Sequence, residues 1–323
     1  MPIITVNHLV KNFQAYKKDP GLFGSVKSLL HRQHYKVPAV KDVSFSINEG
    51  EFVGFIGSNG AGKTTTLKML SGLIHPSEGK VQVIGYKPFE RKIEFLTQIS
   101  LVMGQKNQLW WDLPASESFL LNKEIYEIPD LQFKQTLSSL TELLDVGEIL
   151  NVQVRKLSLG QRMKCELIAA LLHSPKVLFL DEPTIGLDVV MQQNLRDFIK
   201  QYNKKYNATI ILTSHYMQDV KELCDRIIVI DHGQILYDGK LESIIKQFAS
   251  HKILSIILSK EIDKKELEKL GTIKEYEYPR VKLEVPLDKS NHTAAHILNT
   301  FPVKDLNIEE PDIENIIRLV FTQ

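Results

Sequence analysis

Cysteine is scarce in this chain of 323 residues, which contains only Cys165 and Cys224. Both lie in stretches with helical patterning. Two isolated thiols support neither a disulfide framework nor a cysteine-based metal cluster. Such sparse use of cysteine is typical of proteins in a reducing compartment, so we expect a cytosolic environment.

The sequence also lacks a long hydrophobic run. A membrane-spanning helix needs roughly 20 mostly apolar residues, and no stretch of this chain approaches that length. Residues 1–6 lack a basic region followed by an apolar core, so no secretory signal is predicted. If the protein acts at a membrane, we expect other subunits to supply the spanning part.

An excess of charge of either sign is absent as well. The chain has 40 Lys and Arg against 39 Asp and Glu, a formal net charge of +1. This balance gives no general attraction to nucleic acid, which is therefore not an expected partner. With 43% hydrophobic residues, the composition is that of a globular protein, and the length favours one large and one smaller domain.

Short apolar runs alternate with helix-like stretches up to about residue 240, a pattern that predicts an α/β sheet. The clearest candidate strands are Phe52 to Ile56, Val177 to Leu180, Thr209 to Thr213 and Ile227 to Ile230. The stretch from about 106 to 172 is mainly helical in pattern. We interpret it as a helical subdomain within a first domain of residues 1–240.

The pattern changes in the last part of the chain, which we assign to a second domain of residues 241–323. In residues 280–285, charged and apolar residues alternate with a period of two, as expected of a strand with one buried and one wet face. The predicted order of elements is βαββαβ followed by a helix. This order indicates a small α+β domain of the ferredoxin-like kind.

A phosphate-binding loop is the most specific motif of the first domain. It follows the predicted strand that ends at Ile56 and precedes a helix expected to begin near Thr65. Its glycines let backbone N–H groups converge on phosphate oxygens at the positive end of that helix. Lys63 would add a point charge on the outer phosphates, and the Thr64 hydroxyl would bind Mg²⁺. The loop consists of Gly57, Ser58, Asn59, Gly60, Ala61, Gly62, Lys63 and Thr64.

Two carboxylates follow the apolar run Val177 to Leu180, whose composition is that of a strand buried on both faces. Asp181 and Glu182 would therefore lie at the carboxyl end of a strand, where α/β proteins bind ligands. Asp181 could hold Mg²⁺ through its water shell. Glu182 is placed to orient or deprotonate an attacking water molecule.

Further motifs separate this chain from other phosphate-loop proteins. Residues 157–161, Leu-Ser-Leu-Gly-Gln, resemble the signature of ATP-binding cassette (ABC) proteins, Leu-Ser-Gly-Gly-Gln, with leucine at the third position. Gln105 stands where the family has its Q-loop, residues 185–188 resemble the D-loop, and Ser214-His215 resembles the switch histidine. The chain is therefore identified as similar to ABC ATPases over roughly residues 3–240.

The resemblance implies a fold and a site. The fold is a P-loop NTPase domain of the ABC type with a helical subdomain. ATP would be bound by the phosphate loop and Thr65, by Ser158, Gly160, Gln161 and Asp188, and by an aromatic residue stacked on adenine. Phe13 is the preferred aromatic, with Tyr16 and Tyr35 as alternatives. Glu182, His215 and Gln105 would be catalytic, and Gln105 would also sense Mg²⁺ beside Thr64 and Asp181.

The resemblance also implies partners. In the family, each nucleotide is held between the phosphate loop of one cassette and the signature of another, so a dimer is expected, and most simply a homodimer. The chain looks closest to single-cassette exporter ATPases of the ABC-2 type. We therefore expect transmembrane permease subunits as partners and a location at the cytoplasmic face of the membrane.

Two segments keep alternative interpretations. Trp110 and Trp111 follow the Q-loop position and either meet a permease or fill the interior of the helical subdomain. Residues 17–37 resemble an insertion, in which residues 19–36 have the spacing of a short basic amphipathic helix. That helix either packs on its own sheet or contacts a membrane surface or permease.

Three rival functions remain to be weighed. An ABC-type ATPase acting outside transport is the main alternative, but DNA-repair members carry a long coiled coil before the signature, and ribosome-associated members usually carry two cassettes in one chain. A phosphate-loop kinase or GTPase would leave the signature unexplained. A degenerate cassette is disfavoured because Lys63, Asp181, Glu182 and His215 are all present.

Overall fold

The computed structural model describes residues 2–16, 34–104, 106–248 and 251–309, together with 313, 314, 316 and 317. The chain divides into two compact units, Met1–Asp238 and Gly239–Gln323. The family resemblance and the change of pattern placed the division between 240 and 241. Among the described residues, no helix is both long and apolar enough to cross a bilayer.

In the part of the first unit that the structure describes, nine strands are present, the last of which ends just inside the second unit. They are β1 (Pro2–Tyr16), β2 (His34–Asn48), β3 (Phe52–Gly57), β4 (Glu78–Val83), β5 (Ile99–Met103), β6 (Val177–Asp181), β7 (Thr209–Thr213), β8 (Arg226–Asp231) and β9 (Gln234–Lys240). The helices among the described residues of this unit are α1 (Lys63–Leu70), α2 (Ile93–Leu96), α3 (Ala115–Ile125), α4 (Asp130–Leu144), α5 (Leu159–Leu171), α6 (Val189–Tyr206) and α7 (Met217–Leu223).

These strands form two sheets. The larger has six strands in the order β5-β6-β7-β3-β8-β9, and the smaller has three in the order β2-β1-β4. Within the larger sheet, neighbouring strands pair in parallel from β5 through β6, β7 and β3 to β8. Every residue of β6 and β7 is buried, because helices and the second sheet cover a parallel sheet on both faces. The four strands predicted for this sheet are confirmed to within about one residue at each end.

The helical stretch between β5 and β6 contains α3, α4 and α5. Its buried face includes Phe119, Phe133 and Leu140, while its exposed faces carry polar residues together with apolar ones such as Ile125 and Leu131. A parallel connection needs a crossover of a dozen or more residues. Here that crossover carries a whole helical subdomain.

The inserted segment is described only in part. Residues 17–33 lie outside the described residues, so the amphipathic-helix prediction for them stays a prediction. Residues 34–37 belong to β2, where they pair with β1 residues 13–16. The predicted helix therefore cannot extend to Lys36, because backbone pairing with β1 holds this stretch as a strand.

The second unit is a four-stranded antiparallel sheet with helices. Its strands are β10 (His251–Leu258), β11 (Thr272–Glu277), β12 (Arg280–Pro286) and β13 (Val303–Glu309), and its helices are α8 (Leu241–Phe248), α9 (Lys264–Glu268) and α10 (Ser290–Thr300). The strand order is β11-β12-β10-β13, and all three pairings are antiparallel. The predicted ferredoxin-like arrangement is confirmed.

Alternation along β12 decides which face of this sheet is covered. Val281, Leu283 and Val285 are buried in one cluster with Leu254 and Ile297. Residues 313, 314, 316 and 317 are helical, and the rest of the predicted last helix lies outside the described residues.

Candidate active site

The carboxyl ends of the parallel strands bring the sequence motifs to one edge of the large sheet. Asp181 at the end of β6 pairs with Met103 of β5 on one side and with Thr213 of β7 on the other. Gly57 ends β3 beside Ile230 of β8. The motifs that follow these strands are thereby neighbours in space, although they lie far apart in sequence.

The phosphate loop takes its shape from two glycines that leave no room for a side chain. A Cβ atom on Gly57 would collide with the carbonyl oxygen of Ile230. Gly62 has a φ of 109° and is the N-cap of α1, and a Cβ there would lie 2.6 Å from the carbonyl oxygen of Ala39. Glycine adopts such a conformation at no steric cost. The loop therefore turns tightly into the positive N-terminal end of a helix.

Lys63 is buried, and its ammonium group lies back over the loop. Its Nζ donates to the carbonyl oxygens of Gly57 at 2.7 Å and Ser58 at 3.0 Å. Burial lowers the pKa of Lys63 because the charged form loses water, and the negative charges of Glu182 and Asp181 oppose that effect. A cation held in this way suits an anionic ligand.

Asp181 joins the phosphate loop to the neighbouring strand. Its Oδ1 accepts hydrogen bonds from Thr64 Oγ1 at 3.0 Å and from Thr213 Oγ1 at 2.7 Å. Hydroxyl and carboxylate oxygens are the donors that Mg²⁺ prefers, usually as one or two protein ligands completed by phosphates and water. Among the described residues no cluster of three or more His, Cys, Asp or Glu side chains could hold a metal by itself. The pair therefore fits a metal ion that enters with a phosphate ligand.

Glu182 and His215 form a pair at the same edge. His215 Nε2 lies 2.8 Å from Glu182 Oε1. Glu182 has a φ of 55°, a left-handed conformation that costs a non-glycine residue about 1–2 kcal/mol. Its backbone N–H donates to the carbonyl oxygen of Thr213 at 3.0 Å and to the Thr213 hydroxyl at 3.1 Å. Those two bonds hold the strained residue in place.

A cavity of about 500 Å³ joins these groups. Glu182 and His215 line it together with residues of the phosphate loop, so the carboxylate and the imidazole share one space with that loop. The lining residues are Ala39, Asn59, Gly60, Ala61, Gly62, Lys63, Thr64, Thr65, Glu182, Ile185 and His215. Ile185 belongs to the segment that resembles the D-loop, whereas Ala39, which carries no polar side chain, was not predicted from the sequence. Gly57, Ser58 and Asp181 contact the lining residues by the hydrogen bonds given above.

Gln105 lies outside the described residues, so its predicted role stays a prediction. Its neighbour Gly104 donates its N–H to the carbonyl oxygen of Asp181 at 2.9 Å. A Cβ on Gly104 would collide with the backbone of Glu182. The segment that leads into Gln105 therefore starts beside the two carboxylates.

The signature residues lie elsewhere in the first unit. The cavity lining given above includes none of Ser158, Gly160, Gln161 and Asp188, all of which are described. Ser158 caps α5: its hydroxyl accepts from the Gln161 N–H at 3.2 Å, and the Gln161 side chain accepts from the Ser158 N–H at 3.0 Å. This reciprocal pair is a capping box. The serine hydroxyl keeps its proton for a further acceptor.

The unusual leucine of the signature packs on the D-loop segment. A Cβ built on Gly186 would lie 2.9 Å from Leu159 Cδ2, and one built on Gly160 would lie 2.8 Å from Met191 Cε. Met191 lies in the first turn of α6, where its N–H donates to the Asp188 carboxylate at 2.9 Å. The start of α5 and the start of α6 are thus in direct contact.

Phe13 lies on β1 opposite Val37, close along the strand to Ala39 of the cavity. Its ring is 39% exposed, with the Lys11 ammonium 5.2 Å from its centre. Tyr35 and Tyr16 lie further along the two strands from Ala39. This placement supports Phe13 over the alternatives, but the choice of adenine platform stays a prediction.

A buried hub behind the site was not predicted from the sequence. The Asp219 carboxylate, which is fully buried, accepts from Thr184 Oγ1 at 2.5 Å, Ser214 Oγ at 2.6 Å and Arg196 at 2.8 Å. Thr184 follows Glu182 by two residues and Ser214 precedes His215. One carboxylate therefore ties together the two segments that carry the Glu182–His215 pair.

Trp110 and Trp111 are exposed by 56% and 46%. The Arg162 guanidinium lies 5.6 Å from the centre of the Trp111 ring. Because both rings are open to solvent, the interpretation as an internal plug of the helical subdomain is wrong. They form an exposed apolar surface within the segment that follows Gln105 in the chain.

Comparisons with known proteins agree with this geometry. The family profile described as "ABC transporter" matches residues 40–185, and the profile described as "EvrA-like ABC transporter, C-terminal domain" matches residues 250–309. A dimeric structure of an ATP-binding cassette in a post-hydrolysis state, bound to ADP and Pi, has a TM-score of 0.60 at 23% identity, covering 74% of this chain and 98% of that one. This likeness shows the shared fold.

Two bacterial relatives match this chain over most of their length. The ABC transporter ATP-binding protein NatA of Bacillus subtilis (strain 168) is 35% identical over 224 residues, which cover 69% of this chain and 91% of NatA. The linearmycin resistance ATP-binding protein LnrL of the same bacterium is 28% identical over 299 residues, covering 89% of this chain and 94% of LnrL. The phosphate loop, the paired carboxylates and His215 lie at one sheet edge, and this chain belongs to the ABC transporter family as an ATP-binding subunit, an ATPase that works with transmembrane permeases.

Proposed function

We propose that the cavity of the first unit binds the phosphates of ATP and hydrolyses the terminal one. The observation that carries this assignment is the meeting of the phosphate loop and the Glu182–His215 pair across one cavity. Loop N–H groups and Lys63 would bind the β- and γ-phosphates, with Thr65 in the first turn of α1. Phe13 would stack on adenine.

Thr64 and Asp181 would hold Mg²⁺, with Gln105 as a further predicted ligand. When bound, the ion would offset negative charge between the β- and γ-phosphates. Thr213, through its bond to Asp181, fixes the orientation of that carboxylate. Proton transfer and stabilisation of the phosphoryl oxygens would be carried out by side chains of the protein.

Glu182 would act as the general base. Its carboxylate would take a proton from a water molecule that attacks the γ-phosphorus, while the bond from that phosphorus to the bridging oxygen breaks and ADP and phosphate leave. His215, 2.8 Å from Glu182, would orient the carboxylate and bond the γ-phosphate. Lys63 would stabilise the charge that develops on the phosphoryl oxygens.

A second copy of the chain would complete each site. Ser158, Gly160 and Gln161 are absent from the described lining of the cavity in their own chain, yet Ser158 exposes its hydroxyl at the positive N-terminus of α5. That helix end suits the γ-phosphate held by a partner cassette. Asp188, which caps α6 beside it, would lie at the same interface. We infer that ATP joins two cassettes and that hydrolysis releases them.

The permease partner would be of the ABC-2 type and the transport would be export, at the cytoplasmic face of a membrane. This finer assignment is supported by likeness to NatA and to LnrL, which is described as a linearmycin resistance protein. Trp110 and Trp111 offer exposed aromatic surface of the kind that dominates binding at protein interfaces. We propose that they contact the permease.

The decisive experiment substitutes Glu182→Gln. Loss of the general base is expected to lower ATP hydrolysis by roughly 10²–10⁴-fold while ATP still binds, so the variant should accumulate as an ATP-bound dimer in size-exclusion chromatography with light scattering. Glu78→Gln, which makes the same charge change at an exposed position of β4, is the matched control and should hydrolyse ATP normally. Normal hydrolysis by Glu182→Gln would refute the assignment of the base.

A further inference from the structure

The segment that follows the Q-loop position donates two backbone N–H groups to one buried carboxylate. Glu166, in α5, is 3% exposed. The backbone N–H of Gln108 donates to its two oxygens at 2.9 and 3.1 Å, and the N–H of Leu109 donates at 3.3 Å. Two peptide groups of a loop thus satisfy one carboxylate of a helix.

Glu166 lies on the helix that the signature begins. Ser158 is the N-cap of α5, and Glu166 follows it by eight residues, about 12 Å along the axis at the rise of an α-helix. The helix is continuous from Leu159 to Leu171. A displacement of the helix start therefore reaches Glu166 with little loss.

The held segment leads directly to the two exposed tryptophans. The N–H of Trp110 donates to Ser118 Oγ at 3.2 Å, and Arg162, one turn before Glu166, places its guanidinium 5.6 Å from the Trp111 ring. The signature helix therefore contacts this segment at two successive turns, through a carboxylate and through a cation.

Because Glu166 is buried, its carboxylate depends on the hydrogen bonds that it accepts from Gln108 and Leu109. Burial raises the pKa of Glu166 because the carboxylate loses water, and the amides of Gln108 and Leu109, with the charge of Arg162, oppose the rise. A buried carboxylate without those donors would carry a large desolvation cost. The loop and the helix are therefore held together in this arrangement.

We infer that Glu166 is a positioning residue that makes residues 108–111 move with the signature helix. When a partner's nucleotide engages Ser158 and Gly160, the tie carries the resulting displacement to Trp110 and Trp111. This inference rests on the proposed cassette dimer, and it assigns to one side chain the link between nucleotide binding and the exposed aromatic surface.

The chain carries its own probe for this movement. Trp110 and Trp111 are its only two tryptophans, so intrinsic tryptophan fluorescence reports on this segment alone. The experiment compares Glu182→Gln with the double variant Glu182→Gln, Glu166→Met, each before and after addition of Mg²⁺ and ATP. Methionine keeps the length of the side chain and removes both acceptor oxygens.

The expected result is an emission change on ATP binding in Glu182→Gln that is largely lost when Glu166→Met is added, although both proteins dimerise. Glu166→Gln, which keeps one acceptor oxygen, should retain an intermediate change. Gln108→Ala is the matched control, because it removes only the side-chain hydrogen bond to the Leu101 carbonyl oxygen and keeps the backbone N–H that donates to Glu166. It should retain the full change.

Several outcomes would overturn the inference. One is a dimer of the Glu166→Met variant with an undiminished emission change, and another is a dimer of Glu182→Gln with none. If Glu166→Met does not fold by circular dichroism, equal changes in Glu166→Gln and Gln108→Ala would overturn it. Absence of any ATP-dependent dimer in Glu182→Gln would instead refute the proposed cassette dimer, so the two failures are distinguishable.

Discussion

The two compact units of the chain place their polar side chains differently. In the first unit, Asp181, Thr213 and Asp219 are buried near the carboxyl edge of a parallel sheet. The Thr213 hydroxyl donates a hydrogen bond to Asp181, and the hydroxyl of the next residue, Ser214, donates one to Asp219. In the second, the charged residues of β11 and β12 lie on the wet face of an antiparallel sheet. There Lys274 pairs with Glu284 at 2.5 Å, with the lysine side chain 51% exposed.

The contrast follows from sheet architecture. A parallel sheet covered on both faces exposes its chemistry only where strands end, so polar residues gather there and must satisfy one another. An antiparallel sheet with one wet face can carry charges along every strand without such a network. We therefore expect polar substitutions to be costly at the carboxyl edge of the first unit and nearly silent on the exposed face of the second.

The largest effect is expected at the buried hub. Asp219→Ala would leave Arg196 buried without its main partner, and Thr184 and Ser214 without an acceptor. Breaking a buried ion pair costs about 3–5 kcal/mol. The free energy of unfolding, measured by urea titration of the full chain, should fall by that amount, and ATP hydrolysis should fall because Glu182 and His215 lose their support.

Asp219→Asn keeps one acceptor oxygen and the same shape, so it should lose less stability than Asp219→Ala. If the free energy of unfolding of both variants stays within about 1 kcal/mol of the wild-type value, the hydrogen bonds of Asp219 do not stabilise the first unit as proposed.

A smaller and more local effect is expected from the core of the second unit. Leu283 is fully buried in its cluster, and Leu283→Ala should destabilise this unit by about 3 kcal/mol. Hydrogen exchange of residues 251–309 should rise. ATP hydrolysis should stay within about twofold, because the proposed catalytic residues lie in the first unit. If ATP hydrolysis instead fell as strongly as the stability of the second unit, the two units could not be treated as independent in this way.

The smallest effect is expected at the surface pair of the second unit. Lys274→Ala removes an exposed ion pair with Glu284, and such pairs contribute about 0.2–1 kcal/mol. Thermal unfolding of the variant should therefore nearly match that of the wild type at physiological salt. A loss comparable to that of Asp219→Ala would show that exposure does not set the cost of a polar substitution here.

The fold was largely predictable because its patterns are local. The four strands proposed for the parallel sheet and the βαββαβ order of the second unit were found, since period-two alternation and buried apolar runs depend on neighbouring residues. The extension of the inserted helix to Lys36 was wrong. Basic residues at helical spacing gave no sign that backbone pairing with residues 13–16 would hold 34–37 as a strand.

The phosphate loop, Asp181 with Glu182, and His215 were likewise predicted as a group, and the structure brings all three segments to one edge. Each is a short run of residues directly after a strand, and in α/β proteins the carboxyl ends of parallel strands are where ligands bind. Asp219 and Glu166 escaped notice because a single carboxylate within a helix has no motif around it.

The sequence alone determined the cassette motifs and the two kinds of sheet, because loops that bind phosphate and strands that alternate are encoded in contiguous residues. Only the tertiary structure decided that Leu159 packs on Gly186 and that Glu166 accepts hydrogen bonds from the backbone of Gln108 and Leu109. Such contacts join residues far apart in the chain, up to 58 positions for Glu166 and Gln108. They arise from how helices pack across a sheet, which no local pattern specifies.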